Sequence, residues 1–538
     1  MAALPSGRSS PPEVSTPPRI RGNKGRIGIA LISLLALLLA APILVVVTSP
    51  IHTVAPEWDH VWRNLLPAHF QGTLYLLIGV LPLSLLLAVP AAWLVAAHDF
   101  PGRRLFSWAL VLPLALPTYI AAFTYADLFG PTSAAANWSA RVLGLRPDML
   151  STEGLWLVLS LVLYPYIYLP ARAIFSRGMS ARVEVARTLG ANGRRRFWRV
   201  ALPLARPAIV GGALLVAMEA LNDYGAVKFY GVRTLTTGIF RSWSGLYDLG
   251  SALRLGLVLV GLVALLLWAV SLFRRKARQE NEQEPVRLEP LSGARAAMAA
   301  LWCGAILLFA AAIPLAKIVA DVLRDQDQAV LLDTLEAFRN TAVVATLAAI
   351  TTLIIALLVI YRQHYGDRTD PTIRLAKLGY VIPGAVIAMG AMALAGGLDS
   401  ITGWGLSLIG SLGLLVYAFS SRFLAVAVNP LEAGLRQRSA DLVSAARTLG
   451  AGPWRTFRSV DLPLLRPTLL AAAMLVAIDV IKELPLTLIL RPFDFETLST
   501  KAYAMASIEQ LQDASWPALC IVLCGLLPVV LLDRALER

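Results

Sequence analysis

Twelve apolar runs, each close to the roughly 20 residues an α-helix needs to cross a bilayer, occupy most of this 538-residue chain. In the first half they fall near 27–48, 73–97, 105–128, 154–173, 208–226 and 253–273. In the second half they fall near 299–320, 338–360, 375–398, 403–424, 468–487 and 516–532. With 57% hydrophobic and only 15% charged residues, the chain lacks the polar surface a soluble domain of this size requires. The expected fold is therefore an all-α polytopic membrane protein of about twelve transmembrane helices. Prolines inside the runs, such as Pro82, Pro113, Pro117 and Pro165, are compatible with spans whose neighbours re-satisfy the freed backbone groups.

The formal net charge of +14 would suggest nucleic acid in a soluble protein. Here the basic residues sit between the apolar runs, so they report topology instead. Arg19, Arg21, Lys24 and Arg26, then Arg103 and Arg104, then the loop Arg177 to Arg206, then Arg274-Arg275-Lys276 all fall on one side of the alternation. The other side carries Asp321, Asp325, Asp327, Asp333 and Glu336 against Arg324. The positive-inside rule puts both termini in the cytoplasm. Residues 1–26 read as a disordered tail, 27–273 as a first membrane domain, 274–295 as a charged cytoplasmic linker and 296–538 as a second membrane domain. The Ile27–Val47 run is too long for a cleaved signal segment. Cys303, Cys520 and Cys524 lie inside apolar runs and read as packing residues. The five histidines are scattered, and metal binding is left open.

The two halves repeat. Residues 181–207 and 441–467 align without gaps at an offset of 260, with 15 of 27 positions identical. One copy reads as a short helix from Val183 to Leu189, a left-handed turn at Gly190, a second amphipathic helix through Phe197, Trp198 and Val200 ending at Leu202-Pro203, and a new span opened by Pro207. The other reads likewise around Gly450. An amphipathic loop held at the lipid surface by its arginines is the plainer alternative.

Glu184, Ala186, Gly190, Val200, Leu202 and Pro203, with Ala445, Ala446, Gly450, Val460, Leu462 and Pro463, resemble the EAA loop of ABC importer permeases. Arg187 and Arg447 are further identities between the copies. Ser444 departs from the pattern where that family has glutamate. The resemblance implies that each loop inserts into a groove on a cytoplasmic ATPase subunit, two copies in all. It also implies a periplasmic substrate-binding protein docking on the opposite face, notably on 129–153 and 488–515, and residence in a bacterial inner membrane. No Gly-Lys dipeptide occurs, so no phosphate-binding loop of the Walker type is present. No cofactor is expected on this chain. ATP and Mg belong to the partner ATPase, and the chain reads as a transport subunit, not an enzyme.

Asn222-Asp223-Tyr224-Gly225, Thr236-Thr237-Gly238 and Lys482-Glu483-Leu484-Pro485 resemble the fused permeases of the ferric-ion importer family. Fused thiamine permeases are the nearest rival resemblance. From the residues alone, Glu219 and Asp223 are spaced i, i+4 on the fifth span, and Asp479 and Glu483 repeat them at the 260-residue offset. Carboxylates at mid-membrane depth belong against protein or a water-filled path. They form either an acidic passage for a hard cation or salt bridges to Lys228, Lys482 or Arg233 that lock helices. An ion-coupled secondary transporter would share the repeats and the carboxylates but needs no ATPase loops. A structural or signalling membrane protein using the repeat for assembly is a third possibility.

Overall fold

In a computed structural model, residues 23–130, 133–142, 144, 148–177, 185–274, 288–324, 327–365, 370–403, 408–436 and 440–536 are described. The N-terminal tail to residue 22, most of the linker, and Glu184 lie outside them.

Each of the twelve expected apolar segments contributes a membrane-length or shorter apolar helix, though not always over its full expected range. Among the described residues, eight helices are each long and apolar enough to cross a bilayer. Three further spans are bent pairs: Arg103–Ala115 with Thr118–Leu128 (93°), Thr152–Leu163 with Pro165–Ser176 (42°), and Pro453–Leu464 with Arg466–Lys482 (72°). The shorter apolar stretch Ser515–Leu526 stands in the twelfth position.

The breaks follow from local chemistry. Proline drives the residue before it out of the helical region. Leu116 before Pro117 (ψ 117°) and Ile382 before Pro383 (ψ 134°) are accordingly extended, and the third span of each half breaks there. A second matched break follows Leu202–Asn222 and Arg466–Lys482. Asp223 (ψ 124°) and Glu483 (ψ 119°) leave the helix, and Gly225–Phe229 and Pro485–Leu490 resume it. Beyond these, Thr234 and Thr497 each open a buried helix with a reciprocal capping box, to Thr237 and Thr500. The hydroxyls of Thr73 and Thr341 accept the Leu235 and Leu498 N–H groups at 2.9 and 2.8 Å, so the pseudo-symmetry reaches individual hydrogen bonds.

The halves interlock. The first helix, Asn23–His52, packs on the second half: Ser421 Oγ donates to the Leu39 carbonyl (2.5 Å) and Tyr417 to the Leu38 carbonyl (2.6 Å). Gly390 has no side chain because the Pro42 carbonyl occupies that space. Reciprocally, the first helix of the second half reaches the first half, with Tyr125 donating to the Phe309 carbonyl and Lys317 pairing with Asp127.

Several expected boundaries are corrected. The tenth span runs Leu412–Arg436 instead of 403–424, and the preceding helix ends at the left-handed cap of Gly403 (φ 60°). Pro207 does not open its span. The helix is continuous through Gly193–Asn222 with no bend beyond 40°, whereas in the second copy Pro467 does stand in the first turn after a 72° bend. Within 488–515 the helix Leu498–Ser507 is mostly buried, and the exposed parts are the turn around Phe493 and the stretch 507–512 that follows the helix.

Candidate functional site: two elbows and a central acidic cavity

Each repeat forms an elbow at the basic ends of the spans. In the first, residues 185–188 are helical and Gly190 sits at φ 79°. The Ala191 N–H returns to the Ala186 carbonyl (2.9 Å) and the Gly190 N–H to the Arg187 carbonyl (2.9 Å), the paired bonds of a Schellman cap. In the second, the helix Ala440–Thr448 contains Ser444, Gly450 sits at φ 77°, and the Ala451 N–H returns to the Ala446 carbonyl (3.0 Å). Arg447 lies in that helix. After the turn, Leu202 and Leu462 donate to the Phe197 and Phe457 carbonyls across one wide i to i+5 turn. Leu202-Pro203 and Leu462-Pro463 follow directly on these wide turns, without a break in the helix.

Phe197 packs on Trp93 and Phe175, and Phe457 on Tyr361, Tyr365 and Trp454. This pins each elbow to the ends of its own spans and explains why phenylalanine recurs in both copies. The apex residues point outward instead: Leu189 is 81% exposed and Leu449 84%, beside the exposed Trp198 and Trp454.

The anchors differ between copies. A short parallel pair joins His98–Asp99 to Glu289–Pro290, bringing the end of the linker onto the first elbow. Glu289 there grips Arg196 with both oxygens, one contact at 2.7 Å, and Arg187 stands 4.0 Å away. Arg196 is buried, and its hydrogen bonds hold the Glu289 carboxyl below the usual carboxylate range. In the second elbow the Tyr365 hydroxyl donates instead to the buried Asp461 (2.5 Å), where the first copy has Ala201.

A depressed carboxyl stabilises the fold fully above its unfolded pKa of about 4.3 and loses that contribution as pH falls through its folded value. The clamp is therefore intact at neutral pH. We expect Glu289→Gln to weaken it by about 1–2 kcal/mol, raising amide exchange across residues 193–201 by roughly 5- to 30-fold. Hydrogen-exchange mass spectrometry should show the change in the first elbow and leave 453–461 unaltered. Equal loosening of both elbows would contradict the assignment.

Between the halves lies a cavity of about 140 Å³, lined by Glu219, Asp223, Asp479 and Glu483 together. The structure thus brings all four sequence-predicted carboxylates to one space. The two matched helix breaks create it: unwound backbone is tolerated at membrane depth where it borders a cavity. Asp223 accepts the Ala226 N–H (2.9 Å), and Glu483 Oε2 accepts those of Leu486 (2.9 Å) and Thr487 (3.3 Å), so each caps the helix after its break. Asn222 and Lys482, one residue earlier, each cross to the other half. Asn222 Oδ1 accepts the Gly384 N–H (2.8 Å), and Lys482 Nζ donates to the Leu114 carbonyl (2.6 Å).

The helix-locking alternative fails for two of its three partners: Lys228 and Arg233 are exposed and do not line the cavity. Only Lys482 does. The cavity also holds a cation that sequence reading missed, Arg422, with its Nη1 3.8 Å from Glu483 Oε1. The signal was a charge in an apolar run where the other copy, at the same offset, has Val162. Placing that span at 403–424 put Arg422 at its end; the helix Leu412–Arg436 puts it near the middle. Among the described residues no group of three or more His, Cys, Asp and Glu side chains is close enough to hold a metal ion, so the carboxylates border a space without forming a chelating cage.

Comparison with known proteins agrees with this architecture. Over 518 residues, 94% of this chain and 97% of the relative, the sequence is 26% identical to the "Fe(3+)-transport system permease protein FbpB 2" of Haemophilus influenzae. Single stretches are 30% identical to the "Sulfate transport system permease protein CysW" of Synechocystis (167 residues, 30% of this chain and 58% of the relative). They are 31% identical to the "Sulfate transport system permease protein CysT" of Escherichia coli (141 residues, 26% and 49%). The profile of one transport family matches the chain twice, over residues 84–279 and 364–538, once for each half and each time including an elbow and an acidic helix break. The chain belongs to that family, the binding-protein-dependent transport system inner membrane components.

Proposed function

We propose that this chain is the permease subunit of an ATP-driven importer that carries ferric ion from periplasm to cytoplasm. The observation that carries the reading is the cavity between the halves, bordered by four carboxylates from two pseudo-symmetric helix breaks. Oxygen-rich surroundings suit a hard cation. The full-length similarity to a protein named for Fe(3+) transport supports the same cargo.

In this reading two copies of a separate ATPase, holding ATP and Mg, dock on the elbows around Gly190 and Gly450. The exposed Leu189, Leu449, Trp198 and Trp454 support such docking, being apolar apices on an otherwise basic face. Ala186, Arg187, Leu202 and Pro203, with Ala446, Arg447, Leu462 and Pro463, shape those elbows, and Glu184 and Ser444 are the positions where the two contacts differ. Closure of the ATPase pair rocks the halves and moves the opening across the membrane. A periplasmic binding protein delivers the cargo from the face opposite the elbows. The basic loops support a cytoplasmic position for both termini by the positive-inside rule.

Arg422 and Lys482 in the same cavity favour one second reading, an anionic cargo of the kind named for the sulfate permeases. Reconstitution of the chain with its ATPase and binding protein in liposomes separates the two. The expected result is ATP-dependent accumulation of iron-55 and none of sulfur-35 sulfate. Accumulation of sulfate without iron would reverse the assignment.

A further inference from the structure

The two cations of the cavity are held in different ways. Lys482 Nζ is committed to the Leu114 carbonyl at 2.6 Å. Arg422 is not comparably fixed. It is buried, yet its nearest carboxylate contact is a single approach of 3.8 Å to Glu483, and it donates weakly to the Ile382 carbonyl at 3.4 Å. Its Nε has no hydrogen-bond partner, nor does Glu483 Oε1 or Asp223 Oδ2. A guanidinium built to lock helices presents its fork to a carboxylate at about 2.7–2.9 Å. Arg196 does so with Glu289 in this same chain. Arg422 and Glu483 instead face each other loosely across a cavity, with spare donors and spare acceptors. Gly384 presses on the pair, since a Cβ there would collide with both Glu483 Oε1 and Arg422 Nη1. The first half has no such cation, because Val162 stands where Arg422 would be.

We infer that Arg422 is a tethered counter-cation of the cavity: its guanidinium occupies charge space beside Glu483 that a cationic cargo takes, and loading displaces it. This rests on reading the cavity as the cargo path. It gives the transporter a way to keep buried carboxylates compensated without admitting stray cations. It also makes the second half the one that gates loading.

Terbium(III), a hard trivalent ion that seeks oxygen ligands, is the probe. Tyr119, Tyr166, Tyr224 and Tyr380 line the cavity and would sensitise its luminescence on excitation. The test uses the nucleotide-free complex with its ATPase, comparing wild type, Arg422→Met, Arg422→Lys and the double variant Arg422→Met with Glu483→Gln. The expected result is terbium binding at least about tenfold tighter in Arg422→Met than in wild type. That gain should be lost in the double variant and absent from Arg422→Lys, which keeps the charge. Equal binding in wild type and Arg422→Met overturns the proposal, as does a gain that survives Glu483→Gln. Arg422→Gln is measured in parallel; if neither it nor Arg422→Met assembles with the ATPase, the pair is a structural lock and the proposal fails. Iron uptake by the wild-type complex decides the transport reading separately.

Discussion

Replacing Gly190 and Gly450 together with valine should strip the ATPase from the purified permease and reduce uptake to background. Both glycines lie at left-handed φ values, 79° and 77°. A Cβ at either would meet nothing within 4 Å beyond its chain neighbours, so the added carbon collides with no other part of the fold. What remains is backbone strain, about 1–2 kcal/mol for an ordinary L-residue in this region and more for a β-branched one. Both elbows bear that strain at the turn that presents Leu189 and Leu449. Relaxing it requires the Schellman bonds from Ala191 and Ala451 to open, which turns the apex away from its partner. Asparagine tolerates the left-handed region, so the double Gly→Asn variant should retain most of the ATPase. Co-purification followed by uptake assays gives the ranking. Valine and asparagine variants that behave alike would show that the turn conformation is not what the ATPase reads. Wild-type retention of the ATPase in the valine variant would remove the docking role altogether.

The second large effect is expected at the cavity. Glu219→Gln with Asp479→Asn removes two of the four carboxylates while preserving shape. Removing buried charge generally does not destabilise a membrane interior, where ionised groups are costly. Folding and ATPase docking should therefore persist, while ferric uptake falls by at least about tenfold, a loss of about 1.4 kcal/mol or more in stabilisation of the passing ion. Uptake at the wild-type rate by a well-folded double variant would sink the acidic-passage reading. A variant that no longer folds would instead assign these carboxylates to helix packing.

The residues explain why some of this was legible in the chain and some was not. Membrane spans are legible because the bilayer demands long apolar runs whatever the tertiary fold. Each of the twelve contributes helix, with departures at the ends and at the internal breaks before Pro117 and Pro383. The elbows are legible because a left-handed turn is a local demand that glycine meets best, and because Leu-Pro marks a helix start. The four carboxylates are legible as unusual, since charge at that depth is costly anywhere.

What the carboxylates face is another matter. Arg422 is separated from Glu483 by 61 positions, and a span drawn at 403–424 sets it at a helix end, away from the acids. Lys228 and Arg233 were plausible partners by proximity in sequence, yet the chain turns away after Asp223 and leaves them exposed. Glu289 looked like one more charge in a solvated linker, and only the short strand pairing with His98–Asp99 brings it onto Arg196. The crossing of each first helix onto the opposite half has no local signature at all, because an apolar helix face does not encode which other apolar face it will meet.

By itself, then, the sequence determined the duplicated all-helical membrane architecture, the two elbows and the four acidic positions. Each is set by a requirement acting within one or two turns of chain: bilayer thickness, backbone handedness and the cost of buried charge. The tertiary structure alone decided that those acids share one cavity, that Arg422 rests loosely among them while Lys482 is fixed, and that the first elbow is clamped by the linker and the second by Tyr365. These are pairings between segments far apart in the chain, chosen by packing of the whole molecule, and no local preference specifies them.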